Sequence, residues 1–223
     1  MATRMILLCY LAGSSNYAFV FFRTPFLLRL LYPKLTWRIS TEEKIIYLTF
    51  DDGPVPGPTE FVLDQLKAFQ AKATFFCIGN NVVQHNSIYQ RIIEEGHAVG
   101  NHTYNHLRGW NTSDDIYLKD IADCRQVLQN TKLFRPPFGR IKRSQMKQLS
   151  HYEIIMWDVL SYDYAKSISR ERCLRGVISA TREGSIVVFH DSIKANTNMS
   201  YALPKFLDHF TNKGYLFHSL GEG

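Results

Sequence analysis

From residue 41 onward the chain alternates between two hydrophobic patterns. Short runs rich in β-branched and aromatic residues occupy 45–50, 73–78, 97–101, 133–135, 152–157, 185–189 and 215–219. Between them lie stretches with apolar residues at helical spacing, near 59–69, 87–95, 114–129, 143–149, 168–182 and 201–212. Boundary residues agree with this division. Pro58-Thr59-Glu60 opens the first helix, Gly96 follows the second, Thr112-Ser113-Asp114-Asp115 caps the third, and Gly184 and Gly214 close the last two. The strand runs are apolar throughout rather than alternating, as in sheets covered on both faces. Seven such runs separated by helices predict a mostly parallel sheet with helices outside, and the number suits a barrel or a partly open barrel.

Polar residues gather at the C-terminal ends of these runs, the end that carries the site in β/α barrels. The first run delivers Asp51 and Asp52, the third His102 and His106, the fourth Arg135, the fifth Asp158 and Asp163, and the sixth His190. Neighbouring strand residues point to opposite faces, so Asp51 and Asp52 share a site only if Gly53-Pro54 turns the chain there. Read alone, they equally form a surface turn. The four-residue spacing of His102 and His106 places both imidazoles on one side of a helical turn. Together with Asp52 they offer two nitrogens and an oxygen to a divalent ion, leaving a position open for water. Arg135 heads a stiff Pro-Pro-Phe-Gly loop and can hold a carboxylate bidentately; the plainer reading is an ordinary connecting loop. His190 can serve as a general acid or simply end a core strand. Trp157 faces a pocket or packs in the core. His85, His97, His151, His209 and His218 have no such partners.

The chain has 223 residues, 45% hydrophobic and 21% charged, which excludes a disordered, collagen-like or coiled-coil protein and fits one domain at 41–223 preceded by an apolar appendage at 1–40. The net charge of +6 is scattered, with no basic run, so nucleic acid is not an expected partner. It leaves some affinity for an anionic wall or membrane surface. Residues 5–22 carry no charge and follow Arg4, an imperfect imitation of a signal peptide and, interrupted by Gly13-Ser14-Ser15-Asn16, a poor membrane span. The compartment is accordingly cytoplasmic or envelope-associated, with residues 1–40 as the segment for membrane or wall contact. Cys9, Cys77, Cys124 and Cys173 lie far apart, so buried free thiols are expected rather than a disulfide framework or a cysteine zinc site.

TFDDGP at 49–54, HTYNH at 102–106, RPPFG at 135–139, WDVLSYD at 157–163 and VFH at 188–190 occur in that order. Together they resemble the five motifs of the polysaccharide deacetylases, the NodB-homology domain of carbohydrate esterase family 4, over roughly residues 42–220. The resemblance implies a single-domain α/β fold, a deformed (β/α) barrel of about seven parallel strands, and a divalent-metal amidohydrolase removing N-acetyl groups from peptidoglycan or chitin-like glycans. It makes Asp52, His102 and His106 the metal ligands. Asp51 becomes the general base toward water, oriented by Arg135, and His190 the general acid, oriented and charged by Asp163. The backbone amide of Phe138 would stabilise the oxyanion, and Trp157 and Val188 would line the acetyl pocket. Zinc is the default ion; cobalt, nickel and manganese suit the same donors. Leu160 stands where the family usually has aspartate, Tyr164 where it has tryptophan, and Val188 where it has leucine. Two other readings are a related amidohydrolase acting on a different amide, such as a formyl group on a lipid-linked sugar, and a carbohydrate-binding protein without turnover.

Overall fold

The computed structural model describes residues 20–221. Helix α1 spans Phe26–Leu31. The strands that follow are β1 (Ile45–Asp51), β2 (Thr74–Cys77), β3 (Ala98–Asn101), β4 (Leu133–Phe134), β5 (Glu153–Ile154), β6 (Val159–Leu160), β7 (Ile186–His190) and β8 (Leu216–His218). The further helices are α2 (Pro58–Ala68), α3 (Gly79–Gln84), α4 (Asn86–Glu94), α5 (Asp114–Val127), α6 (Arg143–Gln148), α7 (Arg170–Ala180) and α8 (Asn196–Thr211).

The sheet runs β5-β4-β3-β2-β1-β7-β6 with every pairing parallel. One flank of β1 is shared. Its first half, Ile45 to Tyr47, pairs with β8, and its second half, Thr49 to Asp51, with β2. The line 153–160 pairs with β4 at its start and with β7 at its end, so one extended segment joins both edges of the sheet. This stagger curls the sheet into the expected deformed (β/α) barrel.

Side-chain alternation then sorts the layers. Ile46, Leu48 and Phe50 point outward and share the main core with Val62, Leu63 and Leu66 of α2 and Ala202, Leu203 and Phe206 of α8. The opposite face of the strands fills the barrel, where Phe76, Leu133, Ile155, Ile186 and Leu220 pack together beside Tyr47 and Ile39.

Several elements differ from those expected from the sequence. Helix α8 begins at Asn196, five residues before the predicted 201, and carries Pro204 inside it. The run at 152–157 is a strand only at Glu153–Ile154, and β6 forms where a loop is expected, because each borrows partners from different neighbours. Helices α1 and α3 are too short for a periodic signal. Ser113 occupies the N-cap of α5 without a side-chain capping bond. Cys77, Cys124 and Cys173 are buried free thiols, as expected; Cys9 and most of the uncharged 5–22 stretch lie outside the described residues.

Residues 20–39 cover the line 153–160. Arg23 forms an antiparallel bridge with Val159, with the Thr24 N–H donating to the Asp158 carbonyl at 2.7 Å and the Leu160 N–H to the Phe22 carbonyl at 2.9 Å. Farther along, the Thr36 N–H donates to Ile154 at 3.0 Å and the Met156 N–H to Thr36 at 2.7 Å. Leu28, Leu35 and Trp37 complete a second core with Tyr117 and Ile121 of α5, Leu149 and Ile154. Arg29 is ion-paired with Asp158, whose side chain has no solvent exposure. Asp158 also accepts a hydrogen bond from Ser185 Oγ at 2.8 Å. Removing one partner of a buried pair leaves the other charge uncompensated. Arg182 Nε, 3.8 Å from Asp158 Oδ2, offsets part of that loss, so Arg29→Met is expected to lower stability by about 2 kcal/mol, and adding Asp158→Asn to recover part of it, both read from denaturant midpoints.

Candidate active site

The first strand carries the two aspartates to the barrel mouth. Thr49 and Asp51 face inward, and Asp52 (φ 83°) starts a turn completed by Gly53-Pro54. That turn is held from behind by Asp191. Its Oδ1 accepts from the Gly53 N–H at 3.0 Å and its Oδ2 from Thr59 Oγ1 at 2.7 Å. A Cβ on Gly53 would lie 1.9 Å from Asp191 Oδ2, so only glycine allows this approach. Burial raises the Asp191 pKa to about 7, with the Asp52 charge adding to the rise against the Thr59 hydrogen bond. Sequence reasoning missed Asp191 as a positioning residue; its signal was a second polar residue beside His190 at a strand end.

His102 and His106 come together, though not on a helix. They sit in a loop after β3, with Thr103 (φ 64°) and His106 (φ 56°) in the left-handed region. The expected helical turn is replaced by a loop tied to α5. Asp120 of that helix accepts from the Tyr104 N–H at 2.9 Å, the Asn105 N–H at 2.9 Å and Asn105 Nδ2 at 2.6 Å. Asp120 was also missed. It shares the buried face of α5 with Tyr117, Ile121 and Cys124, and an acid on an apolar face is a readable signal of a partner.

Asp52, His102 and His106 offer ligand atoms that all lie within 4.8 Å of one another. Asp52 Oδ1 is 3.2 Å from His106 Nε2 and 3.7 Å from His102 Nε2. Tetrahedral ligands at about 2.1 Å from an ion sit about 3.4 Å apart, so the spacing fits a zinc-sized cation. The donors are in the right chemical state. His102 Nδ1 lies 2.8 Å from the Arg135 carbonyl, which can only accept, so Nδ1 carries the proton and Nε2 presents its lone pair. Burial lowers the His102 pKa to about 4 despite the nearby Asp51 charge, which keeps the ring neutral. Burial alone would raise the Asp52 pKa, but the His106 hydrogen bond and the His190 charge, with the other imidazoles beside it, hold it well below the carboxylate range.

Arg135 reaches Asp51 from inside the barrel. Its Nη1 donates to Asp51 Oδ1 at 2.7 Å and to Thr49 Oγ1 at 2.8 Å, and its Nη2 donates to the Met156 carbonyl at 3.0 Å. On the neighbouring strand, His190 stands in register with Asp51. His190 Nδ1 is 2.8 Å from Asp163 Oδ1, and its backbone N–H donates to Asp163 Oδ2 at 2.8 Å. Burial would lower the His190 pKa, but the Asp163 carboxylate and its hydrogen bond, with Asp52 and Asp51, raise it to about 9. The imidazole is thus a cationic acid at neutral pH, with Nε2 as its remaining donor.

These groups open into a cleft of about 470 Å³ whose lining includes Phe138, Trp157, Leu160, Tyr164 and Val188. Phe138 (φ 61°) is followed by Gly139, where a Cβ would lie 2.7 Å from the Trp157 ring. Tyr164 meets His190 edge-on at 4.8 Å between centroids. The structure therefore gathers all ten sequence-predicted site residues at one end of the barrel.

Residues 38–157 match the family model of the polysaccharide deacetylases. The chain belongs to the polysaccharide deacetylase family. It is 35% identical over 196 residues to a peptidoglycan-N-acetylglucosamine deacetylase of Bacillus cereus, covering 84% of this chain and 92% of that protein. It is 32% identical over 173 residues to chitin deacetylase 2 of Saccharomyces cerevisiae, covering 71% of this chain and 54% of that protein. The crystal structure of the Bc1960 peptidoglycan N-acetylglucosamine deacetylase superposes with a TM-score of 0.81 at 30% identity, over 88% of this chain and 95% of that one. As a polysaccharide deacetylase the protein is a hydrolase, and its barrel is the family's.

The ligand geometry generates a direct expectation. Dialysis against zinc followed by elemental analysis should find about one ion per chain. His102→Ala and His106→Ala should each lose it while thermal melting still shows a folded barrel.

Proposed function

We propose that this chain removes N-acetyl groups from amino-sugar glycans, peptidoglycan or chitin-like oligosaccharides, by hydrolysis at the mouth of the barrel. The observation that carries the reading is the separation of roles around one site. A carboxylate paired with a buried guanidinium and an imidazole charged by its own aspartate stand on adjacent strands beside a two-histidine, one-aspartate group. Asp52, His102 and His106 would hold the metal, with zinc the first choice and cobalt, nickel or manganese alternatives. Such an ion polarises an amide carbonyl and lowers the pKa of water toward about 7.

The chain's own residues supply the proton steps. Asp51, held by Arg135, takes a proton from the attacking water. His190 gives its Nε2 proton to the departing amine, and Asp163 keeps it charged and aimed. The Phe138 backbone N–H donates to the developing oxyanion, where a single donor is worth about 3–4 kcal/mol. Trp157 and Val188, beside Leu160, form the apolar wall that receives the acetyl methyl.

Acetate release from chitooligosaccharides and peptidoglycan fragments, before chelation, after it, and after zinc is restored, tests this reading. Chelation should abolish release and zinc should return it. Asp51→Asn should keep the metal and lose at least about 100-fold in turnover; turnover near wild type would remove Asp51 from the base role. The acid form of His190 is present below about pH 9 and is lost as pH rises through that value. Asp163→Asn should therefore shift the alkaline limb of the rate profile to lower pH.

The reading extends to where the enzyme works. Among the described residues no helix is long and apolar enough to cross a membrane. Phe21, Phe26, Leu27, Leu30 and Leu31 are nevertheless exposed together at and just before α1, which supports contact with a membrane or wall surface through residues 1–40. The same patch favours, as the second reading, an acyl group on a lipid-linked sugar. Co-sedimentation with anionic vesicles should be lost in Leu27→Glu/Leu30→Glu; unchanged pelleting would remove the patch from that role.

A further inference from the structure

The rim of the cleft carries charge that the proton steps leave unused. Arg108, Arg140 and Lys194 line it, whereas its carboxylates are Asp51 and Asp52, both engaged on the floor. Each cation lies over an aromatic ring. Arg108 is 4.4 Å from the Phe138 ring centroid, Arg140 5.3 Å from Trp110 and Lys194 5.2 Å from Tyr164. These rings border the reacting groups. Phe138 packs on His106 at 4.7 Å and Tyr164 on His190 at 4.8 Å. Arg108 is therefore one ring removed from the His106 side of the site, and Lys194 one ring removed from the His190 side. Among the described residues neither Arg108 nor Lys194 makes a salt bridge, and both are exposed. Stacking limits the rotamers each can adopt, so the charge stands pre-placed for a ligand.

A neutral glycan offers these two cations only hydroxyl and carbonyl acceptors, without an opposite charge. A glycan with a carboxylate on the sugar next to the acetamido sugar, or on a peptide attached there, meets one on either side. We propose that Arg108 and Lys194 are specificity-determining residues that read carboxylates flanking the acetamido sugar, selecting acid-bearing N-acetylated glycans over neutral ones. This rests on the deacetylase reading and names the substrate class of the same site.

The test compares three glycans of equal length: a neutral N-acetylglucosamine oligomer, one alternating with a lactyl-ether sugar bearing a free carboxylate, and the methyl ester of the latter. For the wild-type enzyme kcat/KM should favour the free acid over both neutral glycans, and added salt should shrink the preference. Arg108→Gln and Lys194→Gln should each lower the acid-to-ester ratio about 3- to 5-fold, the double variant more, mainly through KM. A ratio near one in the wild type, or unchanged in both variants, overturns the proposal. Binding of the same glycans to Asp51→Asn, by affinity electrophoresis, supplies a readout independent of turnover. Preferential retention of the acid that is lost when Arg108→Gln is added, with no acetate released from any glycan by the wild-type enzyme, would uphold the rim and overturn the deacetylase reading. Equal retention of acid and ester would overturn the rim.

Discussion

A guanidinium without solvent contact persists only where nearly every donor finds an acceptor, and Arg135 meets that condition by joining three parts of the barrel. Its side chain has 0% exposure. It binds Asp51 and Thr49 of β1, the carbonyls of Ile155 and Met156 on the line that joins the sheet edges, and the face of Phe76 in β2 at 4.1 Å. Its own carbonyl accepts a hydrogen bond from the His102 Nδ1–H. One residue thus sets the direction of the Asp51 carboxylate, proposed as the base, and the tautomer of His102, proposed as a metal ligand. Neutralising its side chain would strand Asp51 in a buried position, while its main-chain carbonyl ties His102 to the same strand end, which makes the polar floor of the cleft a single unit rather than a set of independent contacts.

Opposite charges on that floor are kept close without collapsing onto one another. Asp51 is matched by Arg135 and His190 by Asp163, while Asp52 has only imidazoles beside it. Asp51 and His190 each have a partner of opposite charge in hydrogen-bond contact, and the Asp52 group is the one that could take up an added cation. His102 and His190 show how environment divides one residue type between two roles. His102 is buried and His190 partly so, yet burial dominates at His102 and lowers its pKa, whereas the Asp163 carboxylate prevails at His190 and raises it. One imidazole becomes a lone-pair donor and the other a proton donor.

Much of this was readable along the chain because parallel strands bring their C-terminal ends to one rim. Position at a strand end was enough to associate Asp51, His102, Arg135 and His190 before any contact was known. The local conformations were not readable. Five of the six non-glycine residues with positive φ among those described, Asp52, Thr103, His106, Phe138 and Tyr162, lie in or beside the site. Such conformations cost about 1–3 kcal/mol each and persist only where surrounding contacts over-determine them. Asp191 holds the turn after Asp52 and Asp120 holds the loop of His106, so the strain and its support come from distant segments. Spacing rules assume regular backbone, which is why HTYNH suggested a helix.

The segment ahead of β1 extends the same lesson to the substrate cleft. Its composition is apolar and its helix is one and a half turns long, so no periodic pattern marks it as part of the barrel. Its contribution is set instead by backbone donors and acceptors that the line 153–160 leaves available on its outer side, and by Asp158, which draws Arg29 inward. Once seated, the segment supplies Thr24, Leu28 and Trp37 to the cleft wall. The Thr24 hydroxyl donates to the Trp157 carbonyl at 2.8 Å, so the residue proposed to face the acetyl methyl is positioned partly by a segment more than a hundred residues earlier. Cleft shape is therefore coupled to the seating of residues 20–39, and any surface that engages the exposed side of α1 acts on an element that also touches the site.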